Sequence, residues 1–176
     1  MIQIGAKPDS GFDDPIGMLT DCHRRIEHFQ HILCAVAERA SGRALTAGET
    51  SAVHAAIEYF HSGGNRHNAD EEESLFPRLL TSLEPETIEK INGLENDHRA
   101  GDHLHASIDE LYRNWMRRGS LTNREMEQLV SATRQLEQLY KAHIALEEDV
   151  IFKRAAELLD PTAISAMGEE FRRRRA

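Results

Sequence analysis

Two segments of the chain carry the same arrangement of one histidine, a pair of glutamates and a trailing phenylalanine. The first begins at His67 with the sequence HNADEEESLFP, and the second begins at His143 with the sequence HIALEEDVIF. In both segments the histidine and the first glutamate of the pair are four residues apart, so a helix brings them to one face. The chain is therefore expected to fold as helices whose inward faces carry ionisable groups.

Two further histidines follow the same repeat. The sequence DCHR around His23 resembles NDHR around His98, and these two histidines are 75 residues apart. The spacing between His67 and His143 is 76 residues. One helical hairpin used twice produces such offsets, and it would bring four histidines and two glutamates together in one core.

Apolar residues recur at three- and four-residue steps along most of the chain and predict four long helices, with no competing strand pattern. Capping-box pairs open two of these helices, and glycines close two others. The signals are Thr46 with Glu49, Thr122 with Glu125, Ser41-Gly42 and Gly119. The short connections predict an all-α fold, an up-down-up-down antiparallel four-helix bundle. Pro77 is expected to kink or end the second helix.

Three parts of the chain are expected. Residues 1–15 form an extended N-terminal arm, residues 16–160 form the bundle, and residues 161–176 form a short C-terminal helix with a basic tail. The run from Arg172 to Arg175 is the one basic cluster, and we interpret it as a solvated tail.

The charge and hydropathy of the chain argue against two classes of partner, nucleic acids and membranes. The formal net charge of −9 argues against a nucleic-acid partner, because no basic stripe offsets it. No apolar run approaches the roughly 20 residues of a membrane span, and we expect a cytoplasmic protein that does not bind membranes. Cys22 and Cys34 lie on one helical pattern and are not expected to form a disulfide, which is typical of a reducing compartment.

The inward-facing histidines and glutamates indicate a metal site. Burying an unpaired carboxylate costs several kcal/mol unless it is neutralised or finds a cation. Two ions, each held by two histidines and sharing two bridging carboxylates, would satisfy all these groups and keep open positions. Imidazole and carboxylate without thiolate favour iron, manganese or zinc over copper(I). The candidate ligands are His23, His67, Glu71, His98, His143 and Glu147.

The residues one turn from the four histidines, opposite the glutamates, predict a small pocket. They are Ile26, Gly64, Gly101 and Tyr140. Two of the four have no side chain, and the tyrosine hydroxyl can donate a hydrogen bond to a bound diatomic molecule. The alternative is tight backbone packing at the glycines. Another five histidines are expected at the surface or around the ligands, namely His28, His31, His54, His61 and His103.

These motifs resemble the hemerythrin family, specifically the bacterial hemerythrin-like cation-binding domains, over about residues 16–158. The resemblance implies a non-haem di-iron centre, oxo- or hydroxo-bridged, with the six candidate residues as ligands. Oxygen-carrying hemerythrins have a further histidine one turn after the third-helix histidine, where this chain has Asp102. Asp102, His105 and Tyr140 are the candidates for an additional ligand or for groups around the ligands. The six-residue set looks more like iron-centre repair proteins of nitrosative and oxidative stress.

The favoured function is a non-enzymatic di-iron protein that binds O2 or NO, or senses redox or nitrosative stress, through open iron positions. An azide-like anion would bind at the same positions. One alternative is an iron donor or repair factor, and another is a bundle that holds zinc for a structural role. An oxidase or peroxidase would need a substrate channel and further acid–base groups, and the pattern identifies no such set.

Overall fold

The first helix begins at a proline, whose fixed φ angle suits the first turn of a helix. This helix, α1, spans Pro15–Ala40, and the Asp14 side chain caps it by accepting from the N–H of Gly17. It ends at Ser41 and Gly42, which have φ angles of 48° and 79°. The computed structural model describes residues 9–81 and 85–176. Residues 1–8 of the expected arm lie outside this part.

Residues 47–80 form one continuous helix, α2, which opens with the predicted capping box of Thr46 and Glu49. Two π-helical turns interrupt it, at Phe60–Gly64 and at Glu71–Leu75. The expectation that Pro77 could end this helix is wrong, because the helix continues to Leu80. The proline follows a turn in which the regular i→i−4 ladder is already interrupted, so its missing N–H breaks no continuous ladder.

The second half of the chain repeats this pair of helices. Helix α3 spans Pro85–Arg118 and is followed by Gly119 at a φ angle of 77°. Helix α4 covers residues 123–158, opens with the second predicted capping box, and contains a π-helical turn at Glu147–Ile151. A fifth helix, α5, spans Pro161–Arg173.

Helices are the only regular secondary structure of the described residues, which form five helices and no strand, and this confirms the predicted all-α class. The up-down-up-down order of the first four helices stays a prediction. Within the same described part, no helix is both long enough and apolar enough to cross a bilayer.

Two separate apolar clusters stabilise the helices, and the candidate ligands lie between them. The first cluster contains Ile26 of α1 and Leu136 of α4, and the second contains Leu19 of α1 and Ile151 of α4. Along α1, His23 falls between the members of the two clusters. A layer of histidine and glutamate therefore separates the two apolar clusters. A helix bundle normally has one continuous apolar core instead.

One face of the C-terminal helix packs against the rest of the protein. Met167 and Phe171 of α5 are buried in the second cluster. Beyond the helix, the guanidinium groups of Arg174 and Arg175 both donate to the carboxylate of Asp70, which has no exposed surface. The interpretation of this basic run as a solvated tail is therefore wrong for these two arginines, because a buried carboxylate recruits them.

Candidate metal centre

The structure brings all six candidate ligands together as two overlapping groups. One group consists of His23, His67, Glu71 and Glu147, and the other consists of His98, His143 and the same two glutamates. Within each group the potential ligand atoms lie within 4.8 Å of one another, and every member is buried. Because both glutamates belong to both groups, the arrangement has the form of two metal positions with two shared carboxylates.

Nε2 of His98 and Nε2 of His143 lie 3.2 Å apart, at hydrogen-bond distance, but the other inward polar atoms lack hydrogen-bond partners among the described residues. This holds for Nε2 of His23 and His67 and for all four carboxylate oxygens of Glu71 and Glu147. Nε2 of His23 lies 3.0 Å from Oε2 of Glu147, but the geometry is not that of a hydrogen bond. Unpaired buried carboxylates are costly, and a cation between these atoms would satisfy them together. The donor set therefore fits a metal centre.

The electrostatics of the metal-free groups are unequal. Burial and the neighbouring charge of Glu147 raise the pKa of Glu71 well above its usual range. Burial also opposes ionisation of Glu147, but the imidazoles of His143 and His23, 3.1 and 3.0 Å from its carboxylate oxygens, outweigh it and lower the pKa of Glu147. Burial and the nearby charge of His23 lower the pKa of His67 far below the ordinary value. Without metal, the two shared carboxyls therefore differ in their tendency to ionise, and Glu147 ionises more readily than Glu71.

Three of the four histidines are oriented by a carboxylate on their Nδ1 atom. The Nδ1 atom of His23 is 2.9 Å from Glu148, and that of His98 is 2.6 Å from Glu72. The Nδ1 atom of His143 is 3.4 Å from Asp97. A carboxylate at Nδ1 fixes the tautomer that leaves Nε2 free for a metal, and it makes the imidazole a stronger ligand.

The fourth histidine has no such partner. Nδ1 of His67 is buried and makes no hydrogen bond to any residue that the structure describes. In the internal repeat, the position that corresponds to Asp97 is Cys22, a buried free thiol. The thiol therefore stands where the other half of the chain has the orienting carboxylate.

The phenylalanine that ends each repeated segment packs on a histidine of another helix. The ring of Phe152 stacks on His23 at a centroid distance of 5.3 Å, and Phe76 stacks on His98 at 6.4 Å. Each repeated segment thus supplies a histidine and a glutamate to the centre. It also supplies an orienting carboxylate and an apolar wall for a histidine on a neighbouring helix.

Two of the π-helical turns begin at the shared glutamates. Glu71 and Glu147 are the first residues of their respective π turns. A π turn adds a residue to the helical circuit and is frequent at functional sites. The local backbone at both glutamates therefore departs from the regular helix that the four-residue spacing predicts.

The additional candidates do not join either group. Asp102 is exposed, and the hydroxyl of Tyr140 is hydrogen-bonded to Nε2 of His105 at 2.7 Å. Neither Asp102 nor His105 belongs to a potential metal group of the described residues, and a role for either as a further ligand stays a prediction. All five histidines expected away from the centre are exposed, namely His28, His31, His54, His61 and His103.

The four residues of the expected gas pocket have little exposed surface. Ile26, Gly64 and Gly101 are buried, and Tyr140 is largely buried. A Cβ added at Gly64 would meet Phe60 at 3.5 Å, an ordinary contact distance, whereas one added at Gly101 would meet nothing within 4 Å. Tight packing therefore does not explain the glycine at position 101, and the pocket stays a prediction.

Sequence reasoning missed the residues that orient the histidines. Glu72 and Glu148 directly follow the shared glutamates, and Asp97 directly precedes His98. The doubling of glutamate in both repeated segments was the available signal, because a second carboxylate at the same place in each copy indicates a second role. The π-helical turns left no comparable signal in the spacing.

In the comparison with family models, residues 14–155 match the Hemerythrin HHE cation binding domain. This range contains α1 to α3, most of α4 and all six candidate ligands. The comparison with curated proteins finds no similar sequence.

Proposed function

This chain belongs to the hemerythrin family of HHE cation-binding domains, and we propose that it is a non-haem di-iron protein. In this proposal the six buried histidine and glutamate side chains hold two iron ions. Open positions on the ions bind O2 or NO, or let the centre sense redox or nitrosative stress. When bound, the ions would supply the redox chemistry and the affinity for diatomic ligands.

The observation that supports this function is the sharing of two glutamates by two histidine pairs. A structural zinc site is normally closed by four ligands around one ion. Here two groups of four overlap, and each position has two imidazoles and two carboxylates, a donor set without thiolate that suits iron. With the carboxylates shared, each ion keeps coordination positions that no described protein group fills.

The proposed arrangement includes the up-down-up-down order of α1 to α4. Long helices joined by connections of a few residues are typically antiparallel neighbours. The connections after α1, α2 and α3 each cover six residues or fewer. This order would carry both shared glutamates to the same side of the histidine level.

Metal analysis with optical spectroscopy tests the proposal. Protein purified without added metal should contain about two iron atoms per chain, and its spectrum in air should show near-ultraviolet charge-transfer bands. Dithionite should remove these bands, and NO should then produce new ones. One zinc ion per chain and no response to NO would overturn the proposal.

A second candidate function is an iron donor or repair factor, and the state of His67 favours it. A ligand histidine without a partner at Nδ1 is a weaker and less well oriented donor. The ion held by His23 and His67 would then leave more readily than the other. Transfer of one iron per chain to a metal-free acceptor, with the second iron retained, would support this function.

A further inference from the structure

The internal repeat is broken one turn from the histidines, on the side opposite the glutamates. In the repeat Ile26 corresponds to Gly101, and Gly64 corresponds to Tyr140. Large side chains therefore lie on α1 and α4, and glycines lie on α2 and α3. Because a Cβ at Gly101 would meet nothing within 4 Å, open space is present on the α2–α3 side.

A cavity of about 230 Å³ is lined mainly by residues of α2 and α3, together with Leu33 of α1. Its lining includes Phe60 and Asn65 from α2 and Asp102 and His105 from α3. Asn65 directly follows Gly64, and Asp102 directly follows Gly101. The α2–α3 pair also packs more loosely than the other neighbouring helix pairs. The cavity and the glycines therefore lie along the same gap between helices.

Phe60 and His105 line the cavity, and the ring of Tyr140 contacts both of them. The ring of Phe60 packs on His105 at a centroid distance of 4.2 Å, and His105 is hydrogen-bonded to Tyr140. Phe60 also lies beside Gly64, since its Cδ1 is 3.5 Å from the Cβ position there. Phe60 precedes His67 by seven residues, about 10 Å along a helix. The rings of Phe60, His105 and Tyr140 thus connect the lining of the cavity to Tyr140, which is one turn from His143.

The polar groups at the mouth of the cavity favour uncharged ligands. Asp109 is paired with Arg113, which offsets its charge. Asp102 is exposed and adds a negative charge at the mouth. A fixed negative charge repels anions and leaves neutral molecules unaffected.

We propose that the α2–α3 cavity is the route by which small uncharged molecules reach the metal centre. Phe60, His105 and Tyr140 form its inner gate, and Gly64 and Gly101 keep the last step open. The chemical class is a neutral molecule of a few atoms, such as O2 or NO, in preference to an anion such as azide. This inference rests on the proposed function, because it assumes a metal centre at the end of the route.

A side chain added at Gly101, where the proposed route reaches the metal centre, tests the route. In the metal-loaded protein, Gly101→Leu should lower the association rate of NO at least tenfold, while iron content and the optical spectrum are unchanged. Gly93→Leu is the matched control, because Gly93 is an exposed glycine on the same helix with open space at its Cβ position. An unchanged association rate in Gly101→Leu with full iron content would overturn the route.

The charge at the mouth gives a second test. A unit charge about 10 Å away changes the arrival rate of an anion by about twofold in water. Asp102→Lys, a reversal of charge, should therefore raise the azide association rate about fourfold at low salt and leave the NO rate unchanged. Glu110→Lys, on an exposed acidic residue of the same helix, should have a smaller effect. Equal azide rates in the two variants would contradict the assignment of the mouth.

Xenon separates failure of the route from failure of the proposed function. Crystals under xenon pressure should show the gas between α2 and α3 in the unaltered protein, with or without iron. Protein that binds no iron but takes up xenon there would overturn the proposed function and leave the cavity assigned. A cavity without xenon in an iron-loaded protein would overturn the route alone.

Discussion

The two halves of the chain, α1 with α2 and α3 with α4, surround the candidate metal centre with equivalent groups. In each half the second glutamate of the repeated pair bonds to a histidine of the other half, Glu148 to His23 and Glu72 to His98. The exposed fraction of these two glutamate side chains is the same, 39%. The halves thus hold each other's ligands, and neither could form the centre alone.

The two halves differ in the residues around His67 and His143. The second half has Asp97 beside His143 and an apolar residue, Leu146, before its shared glutamate. At the equivalent places the first half has Cys22 and Asp70. The first half therefore has a carboxylate where the second half has leucine, and a thiol where the second half has a carboxylate. Arg174 and Arg175 donate hydrogen bonds to the carboxylate of Asp70. Because Asp70 directly precedes the candidate ligand Glu71, these bonds connect the end of the fifth helix to the candidate centre.

Removal of both C-terminal arginines should have the largest effect on stability. The double variant Arg174→Ala with Arg175→Ala leaves Asp70 buried without its cations, which costs about 3–5 kcal/mol. Asp70→Leu, which introduces the residue of the second half, should restore most of this loss in the same background. Chemical denaturation of the three proteins measures the effect. A loss that persists in the Asp70→Leu background would show that the arginines act through another contact.

The two shared glutamates should respond unequally in the metal-free protein. Glu147→Gln removes the anion that lies 3.0 and 3.1 Å from the imidazoles of His23 and His143, and it should cost about 2–3 kcal/mol. Glu71→Gln replaces a carboxyl whose pKa burial and the neighbouring Glu147 raise, and it should change stability by less than about 1 kcal/mol. Unfolding in the presence of a chelator measures both. Equal losses would contradict the unequal ionisation of the pair.

Much of the centre could be predicted from the sequence because it depends on helical periodicity. The four-residue spacing of His67 and Glu71, and its repeat at His143, determines which side chains share a helix face. Capping boxes and glycines mark where helices begin and end through interactions between residues close in the sequence. The lengths of the connections could therefore be predicted as well. The helix ends at Gly42 and Gly119 follow from their left-handed conformation.

The contacts that periodicity does not determine were missed. Asp70 and Arg175 are more than a hundred residues apart, and no local pattern indicates that the chain terminus returns to a buried carboxylate. The π turn at Glu71 depends on how one helix fits its neighbours and not on spacing within it. The bond between Glu72 and His98 is likewise a contact between two helices. A pattern within one helix does not show whether Glu72 contacts a neighbouring helix or solvent.

Introduction of the missing carboxylate should strengthen the weaker metal position. Cys22→Asp places at the first half the residue that orients His143 in the second, so that His67 gains a partner at Nδ1. Partners of this kind change metal affinity by about 10–100-fold. We expect the faster phase of iron release to a chelator to slow about tenfold. Cys22→Ser, which removes the thiol without adding a carboxylate, should leave that phase unchanged; a similar slowing in both variants would contradict the explanation.

The smallest expected effect is a change in pH dependence at His105, whose equivalent in the first half is Gln30. Burial and the nearby charge of His61 lower the pKa of His105 to about 4. The unfolded chain therefore binds a proton there more readily, near the ordinary value of about 6.5, and His105 reduces stability as the pH falls through that value. Between pH 7 and pH 6 its share of the loss is about 0.7 kcal/mol.

The variant His105→Gln transfers the residue of the first half and keeps a hydrogen-bonding group beside Tyr140. It should therefore lose about 0.7 kcal/mol less stability than the unaltered protein between pH 7 and pH 6. Any loss caused by protonation of the metal ligands is common to both proteins and cancels in the comparison. His103→Gln, at an exposed histidine of the same helix, should behave like the unaltered protein. If His105→Gln and His103→Gln lose stability equally, then burial of His105 beside Tyr140 does not restrict its protonation, and this difference between the halves has no electrostatic consequence.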